Sequence, residues 1–238
     1  MTRTFPVPKE IVALPIGRIA HETMSQRVYS DLRELIMSGR VQPGQRLTLK
    51  SLSEAVGTSQ MPVREALRQL AAEGALEFLP NKSVRVPLMT KEKFLELLAI
   101  RLQVECLALE HATQRITKDQ LQELARHHET FSKEVKRKSP DPTIAIEANM
   151  RFHFTAYRAA EMPTLMNMIE GLWLQVGPVL NLDMRSGSKR LTDAESARNH
   201  HQKILEAMMK KNIKAAKNAL IADLTSAANF IVSLGKLK

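Results

Sequence analysis

Two short amphipathic stretches joined by a tight turn constrain this chain more than any other feature. Residues 59–70 read SQMPVREALRQL. Val63, Ala66, Leu67, Leu70 and Ala71 fall at i, i+3, i+4, i+7 and i+8, the spacing of a helix buried along one side. Arg64 and Arg68, four apart, share the opposite side. Pro62 stands in the first turn, where a missing N–H costs little. Gly74 follows the last turn, where a helix stop belongs. Upstream, residues 50–56 form a second short helix with Leu52, Ala55 and Val56 as its apolar positions and Gly57 as its stop. The connection is the turn G-T-S. Such a pair, the second helix carrying paired arginines, is a helix-turn-helix, whose second helix enters the major groove of DNA. The bland alternative is a solvated surface helix, and the helix and turn upstream weigh against it.

The bulk numbers are compatible with that reading. The chain of 238 residues has room for two ordinary domains. Its formal charge of +10 favours nucleic acid or an anionic membrane as a partner. Cys106 is the single cysteine, so no internal disulfide forms, which suits a reducing cytosol. Its apolar surroundings make it a packing residue rather than a reactive thiol. No run approaches the ~20 apolar residues of a membrane span. The opening MTRTFPVPKE has no continuous apolar region of the kind a signal peptide needs. The expected location is the cytoplasm.

Residues 1–22, with Pro6, Pro8 and Pro15, read as an extended leader. Thr23 and Gln26 have the spacing of a capping box, and Val28, Leu32, Leu35 and Ile36 make the buried stripe of a first helix ending at Gly39. Pro43-Gly44 signals a turn. Beyond Gly74, residues 77–79 and 84–86 are short β-like runs flanking P-N-K-S, a hairpin with a basic tip. Lys82 and Arg85 in this hairpin either reach DNA phosphates and the minor groove or remain solvated. Residues 88–90 are a linker, with Thr90 as the N-cap of the next helix. Everything after it reads helical: 91–114, a capping box at Thr117 and Gln120 opening a helix to about 138, then 143–160, 163 to about 184, 193–210 and 213–234. About six helices without a strand signal make an antiparallel bundle. The fold class is mainly α, with an N-terminal winged helix-turn-helix (23–87) and a C-terminal all-α bundle (91–234).

Polar residues interrupt the bundle's apolar faces. Asn149 and His153 are stacked four apart; His201 and Asp223 lie on the two last helices. Three helices each turning a polar residue inward suggest a shared cavity. Its donors suit Zn²⁺, Ni²⁺ or Mn²⁺, and open coordination positions would accept a ligand carboxylate. The alternative is an ion-free polar pocket. His200 points about 100° away from His201 and is expected at the surface. Arg101 sits on an apolar face and needs a partner: either a ligand carboxylate held bidentately, or Glu105 four residues on.

P-G-Q-R-L, L-S-E-A-V-G-T-S-Q-M-P-V-R-E-A-L-R-Q-L-A-A-E-G-A-L-E-F and the following V-R-V together resemble the winged-helix domain of the GntR family of bacterial transcription regulators. The second half resembles the FCD effector domain of the FadR subfamily, on R-L-Q-V-E at 101–105, N-M-R-F-H at 149–153, H-Q-K-I-L-E-A at 201–207 and A-A-K-N-A-L-I-A-D-L at 215–224. Its length is nearer the six-helix VanR-type branch. The resemblance implies a metal site at Asn149, His153, His201 and Asp223, with Asp223 where the family has a third histidine and Asn149 a weaker neutral ligand than aspartate. It also places Asn81 where the family has a wing glycine, and Gln60 where it has arginine.

The resulting expectation is a homodimeric, ligand-responsive regulator, most simply a repressor, on an inverted-repeat operator in double-stranded DNA. Arg64 would contact guanine O6 and N7. Arg68, Lys50, Ser59 and Gln60 would contact phosphate or neighbouring base edges, Gln60 favouring adenine. A small organic acid in the bundle would shift the balance between two arrangements. Competing readings are a constitutive dimeric DNA-binding protein and a metal-dependent hydrolase using His153, His201 and Asp223. No nucleophile or general base accompanies that cluster, so the chain is not expected to be an enzyme.

Overall fold

A computed structural model describes residues 23–80, 83–180 and 191–238. The leader 1–22, the wing tip with Asn81 and Lys82, and residues 181–190 lie outside them.

The first unit is built on α1 (Met24–Met37), α2 (Leu49–Val56) and α3 (Gln60–Ala72). The capping box forms at the start of α1: Thr23 Oγ1 accepts from Gln26 N, and Gln26 Oε1 accepts from Thr23 N. Each bond satisfies a backbone N–H that the helix leaves unpaired. Val28, Leu32 and Ile36 of α1 meet Val63, Ala66, Leu67 and Leu70 of α3 in one core. Burying such side chains contributes about 1.5–3 kcal/mol each. The apolar register of α2 differs from expectation. Leu52 packs on the core as expected, but Ala55 and Val56 are exposed, Ser53 is buried and Leu49 packs on the core in their place. The helix begins at Leu49, one residue earlier than its polarity suggested, with Thr48 as N-cap.

Three two-residue strands close this unit: β1 (Arg46–Leu47), β2 (Glu77–Phe78) and β3 (Val84–Arg85), ordered β1-β3-β2 and all antiparallel. The hairpin β2–β3 is the expected wing. β1 is an addition that the sequence did not reveal, since two residues carry no period.

The second unit is the expected helical bundle: α4 (Lys91–Arg115), α5 (Lys118–Lys136), α6 (Pro142–Arg158), α7 (Pro163–Leu180), α8 (Leu191–Met209) and α9 (Ile213–Ser233). Thr90, Thr117, Asp141 and Asn212 cap α4, α5, α6 and α9 with their side-chain oxygens. α4 lies on α7 and α9, α5 on α6 and α8, and α8 on α9. Cys106 is buried, and burial pushes its thiol up to about 11, consistent with a packing role. Among the described residues no helix is long and apolar enough to cross a membrane.

The two units touch along α1 and α7. Arg33 Nη2 lies 2.8 Å from Glu170 Oε2. One turn beyond Trp173, Gly177 meets the end of α1: a Cβ there would stand 2.6 Å from Met37 O and 2.7 Å from Ile36 O. The linker is also tied down, because Lys238 N donates to Met89 O at 2.9 Å and Lys91 N donates to Lys238 O at 3.3 Å.

Candidate nucleic-acid interface and polar centre

The apolar stripe of α3 is consumed by the core, which turns its other side outward. Ser59, Gln60 and Arg68 are exposed, Arg64 is half-buried, and Lys50 stands exposed on α2 beside them. Ser59 is the N-cap of α3, but its side chain makes no capping bond, so the hydroxyl is available to a partner. Arg64 Nε is enclosed and has no hydrogen-bond partner. An enclosed stem with an unmatched guanidinium donor is held in place yet unsatisfied by the protein. Arg85 is half-buried, and its Nε donates to Glu77 Oε1 at 2.7 Å across the wing. Lys82 lies outside the described residues.

In the bundle, α6, α8 and α9 bring His153, His201 and Asp223 together, each at most 6% exposed. His153 Nε2 is 3.3 Å from Asp223 Oδ2 and 3.3 Å from His201 Nε2; His201 Nε2 is 4.0 Å from Asp223 Oδ2. A divalent ion about 2.0–2.1 Å from each donor spaces tetrahedral donors about 3.3 Å apart. Two of the three separations match that spacing, and the His201–Asp223 one is longer. Burial is the main reason that the His201 imidazole is held down to about 3, with the neighbouring histidines adding to it and Asp223 opposing. His201 is therefore neutral at pH 7, as a metal ligand must be. Burial alone would raise the Asp223 carboxyl. The neighbouring imidazoles of His153, His200 and His201 outweigh it and hold the carboxyl well below its usual range.

Asn149 is half-buried one turn before His153 and makes no hydrogen bond to the three among the described residues. His200 does not lie at the surface as expected. It is largely covered, with Nδ1 3.7 Å from Asp223 Oδ1. The walls are aromatic: Phe152 stacks on His201 at 4.2 Å between centroids, and Phe131 lies 5.0 Å from it. The centre is thus tight around its donors. A cavity of 740 Å³ lies elsewhere, between α1 and α5–α7, where Tyr29, Arg33, Arg158 and Glu170 line it.

Arg101 is closed off by its own helix. Its Nε donates to Glu105 Oε1 at 2.6 Å, and the guanidinium carbon lies 5.0 Å above the Trp173 ring. Of the two expectations for Arg101, this arrangement is the structural pair. Glu105 further accepts from Trp173 Nε1 at 3.1 Å and from the Tyr157 hydroxyl at 2.5 Å.

Residues 24–86 match the family of bacterial regulatory proteins named gntR, and residues 96–226 match the FCD domain. The chain belongs to the gntR family of bacterial transcription regulators, with an FCD domain behind its DNA-binding head. The regulator is 33% identical to the HTH-type transcriptional regulator McbR of Escherichia coli over 165 residues, covering 69% of this chain and 74% of that one. It is 30% identical to a probable D-xylose utilization operon transcriptional repressor of Paenarthrobacter nicotinovorans, over 85% and 86% of the two chains. The solved structure of E. coli McbR/YncC superposes with a TM-score of 0.84 at 26% identity, covering 90% of this chain and all of that one. These relatives are regulators of transcription, which sets the hydrolase reading aside.

Sequence reasoning missed three residues beside the donors of this regulator. Tyr157 was detectable, because it follows His153 by one turn on the same face of α6. Trp173 and His128 arrive from α7 and α5, His128 ring to His201 ring at 6.3 Å, and nothing in their local spacing marks them.

Proposed function

We propose that this regulator is a homodimeric repressor of a short inverted-repeat operator, released when a small organic acid is bound in its FCD domain. Arg64 reads a guanine, supported by its fixed stem and unmatched Nε; Gln60, Ser59, Arg68 and Lys50 contact neighbouring base edges and phosphates. His153, His201 and Asp223 would hold a divalent ion of the Zn, Ni or Mn type, with Asn149 able to join from one turn away. When bound, such an ion supplies open coordination positions for a ligand carboxylate. The convergence of three buried donors, two of their three separations at the spacing of one ion's ligands, carries this reading. Dimerisation is supported by an exposed apolar stripe on α4, Leu95, Ala99, Ile100 and Leu107, continued by Ile221 on α9. Leu107 and Ile221 line one groove with Leu102, and contiguous exposed apolar surface marks an interaction site. The regulator would act in the cytoplasm, where its DNA is.

The tight aromatic packing around the donors and the closed Arg101–Glu105 pair favour one other reading, a constitutive dimer whose polar centre is purely structural. Metal analysis of the purified protein, with thermal shifts against a panel of carboxylic acids before and after chelation, separates the two. The proposal expects about one ion per chain and an acid that raises Tm only in the metal-loaded protein. His153→Ala or His201→Ala should lose that response and keep bare operator affinity. Absence of metal together with no shift by any acid would establish the constitutive dimer.

A further inference from the structure

The buried chain Arg101–Glu105–Tyr157–His153 ends on one of the three converging donors, and its geometry fixes where protons sit. Glu105 is the acceptor for three donors. Arg101 Nε reaches Oε1 at 2.6 Å, Trp173 Nε1 reaches the same oxygen at 3.1 Å, and the Tyr157 hydroxyl reaches Oε2 at 2.5 Å. Arginine and tryptophan have no acceptor to offer, so the carboxylate is committed to receiving. A phenol has one proton. With it directed at Glu105, the Tyr157 oxygen turns a lone pair toward His153 Nδ1, 3.2 Å away. His153 Nδ1 must then be the N–H donor. Nε2 is left on the opposite edge of the ring, facing Asp223 and His201 at 3.3 Å each.

We propose that Tyr157 is a positioning residue that sets the tautomer and tilt of His153, through Glu105, so that the Nε2 lone pair is the one offered to a bound divalent cation. This rests on the reading of the three donors as a metal centre. Whichever protonation state His153 has before binding, its Nδ1 proton stays on the bond to Tyr157, and any proton released on binding leaves from Nε2. A carboxylate-backed partner on the far nitrogen makes an imidazole a better ligand and holds its orientation, and removing such a partner typically weakens metal affinity about 10–100-fold. Here the backing is indirect: a tyrosine hydroxyl stands between the carboxylate and the imidazole. The anchor is also stiff, because Glu105 is pinned from α4 and α7 at once while Tyr157 and His153 share α6.

The test is nitrogen NMR of the histidine rings in metal-free full-length protein, with zinc titration calorimetry, on wild type and Tyr157→Phe. Phenylalanine keeps the buried ring and removes only the hydroxyl. The expected result is His153 protonated at Nδ1 in wild type, loss of that fixed preference in Tyr157→Phe, and a zinc Kd about 10–100-fold weaker in the variant. Thermal melts confirm that the variant is folded. A wild-type His153 lacking the Nδ1 proton overturns the proposal without need of any variant. So does a folded Tyr157→Phe with the same His153 tautomer and zinc Kd as wild type. If wild type binds no zinc, the metal reading fails by itself; the ring tautomers of the two proteins then still decide whether Tyr157 orients His153.

Discussion

Replacing Gly177 by alanine puts a methyl group where the end of α1 already is. The new carbon would stand 2.6 Å from Met37 O, 2.7 Å from Ile36 O and 2.9 Å from Met37 Cα. All three are backbone atoms, so no side chain can swing aside. The two helices must part by about 0.8 Å for Met37 O to reach the 3.4 Å of an ordinary contact. Overpacking of this kind costs about 1–3 kcal/mol. Alanine in a helix interior normally returns roughly 0.5–1 kcal/mol relative to glycine. The net is a loss of up to about 2.5 kcal/mol, or a fall of up to roughly 10 °C in Tm at 2–4 °C per kcal/mol. Gly171 provides the internal control. It lies in the same helix with nothing within 4 Å of its added Cβ, so Gly171→Ala should stabilise by up to about 1 kcal/mol. Differential scanning calorimetry of both variants reads the sign directly. Operator affinity measured by fluorescence anisotropy should change for Gly177→Ala alone, since only that substitution unseats the DNA-binding head. If the two alanine variants are equally stable, the seat of α1 on α7 is not as described.

Three further outcomes are expected. Arg64→Ala should weaken operator binding by at least tenfold, from a lost contact of about 1–3 kcal/mol at each half-site, with an unchanged circular dichroism spectrum; a gel-shift titration matching wild type removes Arg64 from the interface. Glu105→Ala leaves Arg101 buried without its carboxylate, and breaking a buried pair in that way costs about 3–5 kcal/mol, which urea unfolding should report as a lower midpoint at unchanged slope. Acid should destabilise the metal-free protein through His201. Its folded value of about 3 lies below the ordinary 6.5, so the unfolded chain takes up the proton first. Stability is complete above about 6.5 and falls by about 1.4 kcal/mol per pH unit toward 3. Urea midpoints that stay flat between pH 6.5 and 4 would show that His201 is not buried as a neutral ring.

The elements with a strong period or a local cap were legible in the chain. The Thr23–Gln26 and Thr117–Gln120 capping boxes form where their spacing put them, because both partners lie within one turn and need no tertiary help. The α3 stripe and the inward face of α4, including buried Arg101 and Glu105, followed from helix periodicity alone. α2 was read only in part, since eight residues give two turns: Leu52 packs inward as expected, but the core took Leu49 over Ala55 and Val56. At the polar centre, the i,i+4 partners of Arg101 and of His153 were within reach of spacing. Trp173, 68 residues from Glu105, was not, since only packing brings α7 to α4. His200 was misplaced because helical direction was judged against His201 alone. Asp223 from α9 enters between the two adjacent rings, so both face it.

The backbone bonds joining Lys238 to Met89 and Lys91 give the linker an unusual constraint. A connector between a reading head and a sensor ordinarily behaves as a slack leash. Here it is stapled to the segment that follows α9, the same helix that carries Asp223. Any axial displacement of α9 would therefore bear on the main chain next to the DNA-binding head without passing through the side chains of the bundle.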